Sequence, residues 1–233
     1  MGSMLFRLLV VTLAGTIAAR PSSNLDAPIR DEFRIDNPRF LNPCAGHMAV
    51  AQIARQANVL IGFENTPDCW LGPTAARAGA GNETLTGMSA RQAFDHLMAL
   101  MPMYSWKEME GVAVVRPKAA WEDPRNVLNL PTASFSATDT PLDHALHTAL
   151  QAVTPPVFYP HDDVQRFGRP IDGPVSVGFP GGTMLEALNA LVRAHQSAEW
   201  QLGYSGNFAT IAVESLAFTG GVVMAPVALP LAR

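Results

Sequence analysis

The stretch Ser89-Ala90-Arg91-Gln92-Ala93-Phe94-Asp95-His96-Leu97-Met98-Ala99-Leu100-Met101, closed by Pro102, decides how the rest of the chain is read. Ser89 is a good helix N-cap, and Ala90, Phe94, Leu97, Met98 and Met101 share one face at helical spacing. Tyr104-Ser105-Trp106-Lys107-Glu108-Met109, a Glu110-Gly111 turn and Val112-Ala113-Val114-Val115-Arg116 follow, which is the pattern of a helix leading into a β-hairpin.

The same design returns 94 residues later. Thr183 caps Met184-Leu185-Glu186-Ala187-Leu188-Asn189-Ala190-Leu191-Val192-Arg193-Ala194-His195, so Ala93, Phe94 and Leu97 match Ala187, Leu188 and Leu191 without a gap. Trp106 matches Trp200 at the same offset, and Ser205-Gly206-Asn207 turns that strand into Ala209-Thr210-Ile211-Ala212-Val213. A helix face and a tryptophan in one register point to duplication. Upstream, copy one offers a strand at 33–36, a helix at 48–57 and strands at 59–63 and 83–87. Copy two offers a strand at 127–130, a helix at 142–153 and strands at 157–159 and 175–179. Each copy then reads β-α-β-β-α-β-β. The expected fold is α+β, two tandem modules at 33–117 and 126–216, each with small sheets packed on two helices, followed by an apolar tail at 217–233.

The quoted elements resemble a known family, the short N-terminal module of secretins and TonB-dependent signal transducers. The likeness rests on Phe33-x-Ile35 leading into Ile53-Ala54-Arg55-Gln56-Ala57-Asn58, on the strand 59–63, on Leu85-Thr86-Gly87-Met88-Ser89-Ala90-Arg91-Gln92-Ala93-Phe94, and on Tyr104-Ser105-Trp106 before the hairpin. It covers 33–117 well and 126–216 more weakly. It implies a periplasmic protein-recognition module with no catalytic residues to carry over. Family members place this module ahead of an outer-membrane barrel, plug or multimeric ring, whereas here only the 17-residue tail follows copy two. Copy two is also interrupted by a charged, Pro/Gly-containing loop at 160–174, and copy one by an insertion at 70–81.

Composition agrees with an apolar-rich globular protein. Of 233 residues, 48% are hydrophobic and 15% charged, too apolar for a disordered chain. The net charge of −4 lacks the basic footprint of a nucleic-acid binder. Arg7, the apolar run Leu8-Leu9-Val10-Val11-Thr12-Leu13-Ala14-Gly15-Thr16-Ile17 and the small pair Ala18-Ala19 read as a signal peptide over 1–19. The run is shorter than the ~20 residues that span a bilayer, although left uncleaved it would be an anchor, and no later segment is long and apolar enough to span. In an oxidising compartment Cys44 and Cys69 can pair, closing a loop worth ~3 kcal/mol; the alternative is two separate thiols.

Hidden chemistry would most readily show in histidines. With Leu142 at zero, the apolar face of its helix centres near 20°, His144 falls near 200° and His147 near 140°, both away from the core. With His161 or Asp163 they could form a metal site for a hydrolase, but the i, i+3 spacing is not that of the HExxH motif and no general-base Glu lies between. A solvated helix face explains them more simply. His96 falls on a solvent face, and His195, standing where Met101 stands in copy one, is expected half-buried at a helix C-terminus, where a cation is favoured. His47 lies three residues from Cys44, and Asp162-Asp163 and the pairs Gly181-Gly182 and Gly220-Gly221 match no catalytic or phosphate-binding motif. Trp106 and Trp200 are expected to pack on the preceding helix, leaving Trp70 and Trp121 as candidates for a recognition surface. The tail, from Phe218 to Leu231, carries no charge and should be buried, as an edge strand of its own sheet or on another protein. No cofactor is expected. The function expected from the residues and the resemblance is an exported module that binds an envelope protein through sheet edges; a metal-dependent hydrolase using His144, His147 and His161, and a self-associating structural subunit, are the rival readings.

Overall fold

A computed structural model describes residues 24–30, 34–35, 46–66, 83–157, 165–167, 171, 173–205, 208–215 and 222–228. The first half runs through β1 (Arg34–Ile35), α1 (Gly46–Ala57), β2 (Leu60–Glu64), β3 (Glu83–Thr84), α2 (Ala90–Leu100) and the hairpin β4 (Tyr104–Met109) to β5 (Val112–Pro117). The second half runs through β6 (Pro131–Thr132), β7 (Phe135–Thr140), α3 (Leu142–Gln151), β8 (Gln165–Phe167), β9 (Val175–Phe179), β10 (Gly182–Thr183), α4 (Met184–His195), the hairpin β11 (Ala198–Ser205) to β12 (Phe208–Ser215), and β13 (Val222–Ala228). The fold is α+β, as expected.

The 94-residue correspondence extends to the polar details. Ser89 and Thr183 each close a capping box, with Gln92 and Glu186 respectively. Gly87 and Gly181 enter these caps at φ 86° and 106°, left-handed conformations that a side chain would strain. Trp106 Nε1 donates to Asp95 (2.8 Å) and Trp200 Nε1 to Asn189 (2.9 Å), four residues in the same register. Antiparallel β1–β3 and β7–β9 are likewise equivalent pairs.

The two halves share one seven-stranded sheet, ordered β4-β5-β2-β11-β12-β13-β8. β2 is the seam, parallel to β5 on one side and to β11 on the other. Relative to β4-β5-β2, the series β11-β12-β8 keeps its order along the sheet but reverses strand direction. That relation is a half-turn about an axis lying in the sheet across the strands, and it turns the faces over. Accordingly Ile61, Phe63, Ala113 and Val115 join the core beneath α1 and α2, while Val112, Val114, Trp200 and Leu202 join the core beneath α3 and α4. Alternation along β5 thus sends its side chains into two different cores, and all six of its residues are buried.

Three expectations need correction. Val127-Leu128-Asn129-Leu130 is not a strand: Val127–Asn129 form a 3-10 turn because the Asn126 side chain accepts from the Leu128 N–H (2.9 Å). The strand of that position is β7, whose polar Ser136, Thr138 and Asp139 concealed it. Of the expected strand 157–159, Val157 is not in a strand and Phe158 and Tyr159 lie outside the described residues; β8 occupies the corresponding place in the chain order. The tail does pair with its own sheet, but as the internal strand β13 between β12 and β8 rather than at an edge. In the first half β2 sits directly beside the hairpin's second strand; in the second half β13 takes that place. Pro226 lies past the three residues that pair with β8, so no ladder bond is required of it on that side. A further docked segment was not anticipated: Leu25 and Ile29 are buried, with the Ala90 N–H donating to the Ala27 carbonyl (3.0 Å) and the Ile29 N–H to the Met88 carbonyl (2.8 Å).

The seam depends on a missing side chain. Trp200, fully buried, lies across Gly62 of β2, and a Cβ built at Gly62 would fall within the indole. Gly62→Ala is therefore expected to destabilise the protein by at least ~2 kcal/mol in urea unfolding. Gly178→Ala, where a Cβ meets nothing within 4 Å, should be close to neutral.

Candidate functional site

Polar groups concentrate at the seam. Glu64, at the end of β2, is buried and accepts from Arg116 Nε, from Asn126 Nδ2 and from the Tyr204 hydroxyl, each at 2.5 Å. Arg116, wholly buried on β5, also donates to Asn129 Oδ1 (2.9 Å) and the Ala120 carbonyl (3.1 Å). Trp121 covers this pair: its ring lies 5.0 Å from the Arg116 guanidinium and 4.3 Å from Lys107 Nζ, and its Nε1 donates to Ser105 (2.8 Å). Burial, and then the Glu64 carboxylate, push the Tyr204 hydroxyl well above the usual tyrosine range. Every member has partners within the protein, so the cluster joins elements rather than presenting chemistry to a ligand.

On the opposite face, Glu199 of β11 stands across from Glu214 of β12, with Arg55 of α1 at 4.0 Å. Glu199 is 2% exposed and its Oε2 is buried without a hydrogen-bond partner. Burial raises its carboxyl from 4.5 to about 7, with Arg55 opposing, Glu214 reinforcing and Gln201 opposing weakly. Glu214 is raised as well, by burial against the pull of Arg55, and burial lowers Arg55.

Among the described residues, those singled out in the sequence do not converge on one site. His144 is exposed beside Asp143 (4.0 Å), and the half-buried His147 lies 3.4 Å from Gln151. His161, Asp162 and Asp163 lie outside the described residues, and among those described no group of three His, Cys, Asp or Glu could hold a metal. Cys44, Cys69, Trp70, the pair Gly220-Gly221 and the segment 1–19 also lie outside them. His195 is half-buried at the end of α4, with Nδ1 3.1 Å from the Ser197 hydroxyl. His96 borders, with Thr86, Gly87, Met88, Gln92 and Asp95, a shallow open depression at the start of α2. Trp106 packs on Phe94 at 5.2 Å, as expected of a strand aromatic, and the half-buried Trp121 lies over Arg116. Among the described residues no helix is long and apolar enough to cross a membrane.

What remains open is a strand edge. Among the described residues β4 pairs only with β5. Glu110 and Gly111, at φ 53° and 87°, form a two-residue turn, which makes Met109 and Val112 a hydrogen-bonded pair. The alternation then carries residues 107, 105 and 103 inward, and the Lys118 N–H indeed donates to the Met103 carbonyl (2.8 Å). The main-chain groups of Trp106 and Glu108 therefore point away from the sheet. The equivalent groups of β11 are in use: the Leu202 carbonyl, matching Glu108, accepts from the Asn65 N–H just beyond β2 (2.8 Å). Comparison with protein-family models, with curated proteins and with solved structures finds no match to this chain.

The Glu199 geometry gives a pH dependence. Its folded carboxyl titrates higher than it would unfolded, so the folded state binds the extra proton between about pH 4.5 and 7. Its contribution is whole below that window and is lost as pH rises through it. Glu199→Gln should therefore stabilise the protein at pH 8 by up to ~3 kcal/mol relative to wild type, and much less at pH 5, in denaturant unfolding at the two pH values. An effect independent of pH would contradict the assignment.

Proposed function

We propose that the protein is an exported binding or assembly module that recognises a cell-envelope protein by strand addition at β4. One observation carries this: β4 and β11 are equivalent strands, and among the described residues the edge that β11 uses to hold β2 has no strand paired to it in β4. Adding a strand would satisfy the outward main-chain groups of Trp106 and Glu108 as β2 and the residue after it satisfy those of β11. The signal-like segment 1–19 and the resemblance to the secretin and TonB-transducer module support the same reading. The exposed Lys107 and Glu108 guard the edge against indiscriminate pairing and would select among partners by charge.

Glu108→Pro removes an outward N–H while leaving the hairpin bonds in place. Wild-type protein immobilised in a cell-envelope extract is expected to retain a partner that the folded Glu108→Pro variant loses. Equal retention by the two would count against recognition at this edge.

A further inference from the structure

The same equivalence specifies what the edge should accept, an inference that rests on the reading of β4 as the binding edge. In the parallel β11–β2 pair, Trp200 stands opposite Gly62, Gln201 opposite Phe63 and Leu202 opposite Glu64. A residue larger than glycine at position 62 would collide with the indole, so the seam selects a strand with no side chain at that point. Trp106 is bound in the same way as Trp200, through the equivalent carboxamide or carboxylate of its helix. The difference is burial: Trp200 is covered, whereas Trp106 is half-exposed at the sheet edge.

We propose that β4 binds an extended segment of another protein, parallel to it, with a glycine opposite Trp106. By the register of the seam, the next residue of that segment lies opposite Lys107 and the one after it opposite Glu108. The first of these is apolar, as Phe63 is, lying along the methylene stem of Lys107. The second is basic: the Glu108 carboxylate already holds Arg91 of α2 at 3.3 Å, and a second carboxylate directly across from it would add repulsion that a cation sharing the carboxylate would not. The glycine lets the partner backbone approach under the indole, and the basic residue supplies the charge match that β2 itself, with Glu64, would lack at this edge.

The probe is a fluorescein-labelled peptide of residues 57–66 carrying Glu64→Lys, which places Gly62, Phe63 and the new cation in the seam's register. Anisotropy titration with the full chain is expected to show saturable binding, weakened at least tenfold by Gly62→Val in the peptide and severalfold when the natural Glu64 is restored. Hydrogen exchange should slow at residues 104–109, and the protein variant Glu108→Pro should abolish binding. Absence of saturable binding, indifference to Gly62→Val, or protection at 165–167 or 222–228 instead would overturn the proposal. Self-association of the unliganded protein that Glu108→Pro abolishes would make a second copy the occupant, and would overturn it equally. Failure of the peptides beside an extract partner still lost in Glu108→Pro would refute the glycine register while leaving edge recognition intact.

Discussion

The Glu64–Arg116 pair is the constraint on which the arrangement of the two halves depends. Removing a carboxylate and a guanidinium from water costs several kcal/mol per ion, and only good geometry with further hydrogen bonds offsets it. Here the partners come from four parts of the chain: Glu64 from β2, Arg116 from β5, Asn126 and Asn129 from the connection between the halves, and Tyr204 from β11. Moving any of these elements away leaves a buried charge unmatched. The connection therefore acts as part of the core rather than as a linker, with Val127 and Leu128 fully buried beside it.

The seam also explains why the two equivalent halves are not symmetrical in their surroundings. Flipping the second half about an in-sheet axis lets β2 pair on both sides, and it gives the two equivalent hairpins different fates. One, β11–β12, becomes interior and gains β13 as a neighbour; the other ends in β4, which among the described residues pairs only with β5. Equivalent residues then diverge with their surroundings. Asp95 beside half-buried Trp106 is Asn189 beside fully buried Trp200, where a charge would have to be desolvated. Lys107 and Glu108 at the edge are Gln201 and Leu202 in the interior.

Much of the fold was legible because the second helix of each copy carries local signals: a capping box, a continuous apolar face and a following hairpin with its two-residue turn. The first strands of copy two were not. Val127 and Leu128 look like a strand because they are apolar, but they are apolar to fill a core beneath a turn set by Asn126. Phe135–Thr140 looks like a loop because one of its faces is solvated. Neither the joining of the sheets nor the buried ion pair could be read locally, since Glu64 lies 52 residues from Arg116 and 140 from Tyr204. The histidines attracted attention by chemical type alone, whereas the open edge has no residue signature and emerges only when the hydrogen-bond alternation of β4 is set beside that of β11.

If the seam makes one cooperative unit of the two halves, native-state hydrogen exchange should show it directly. Slowly exchanging amides of β5 and β12 should report the same opening free energy, and Arg116→Met should lower both by the same amount. Retention of full protection in β12 while β5 loses it, or the reverse, would contradict the account.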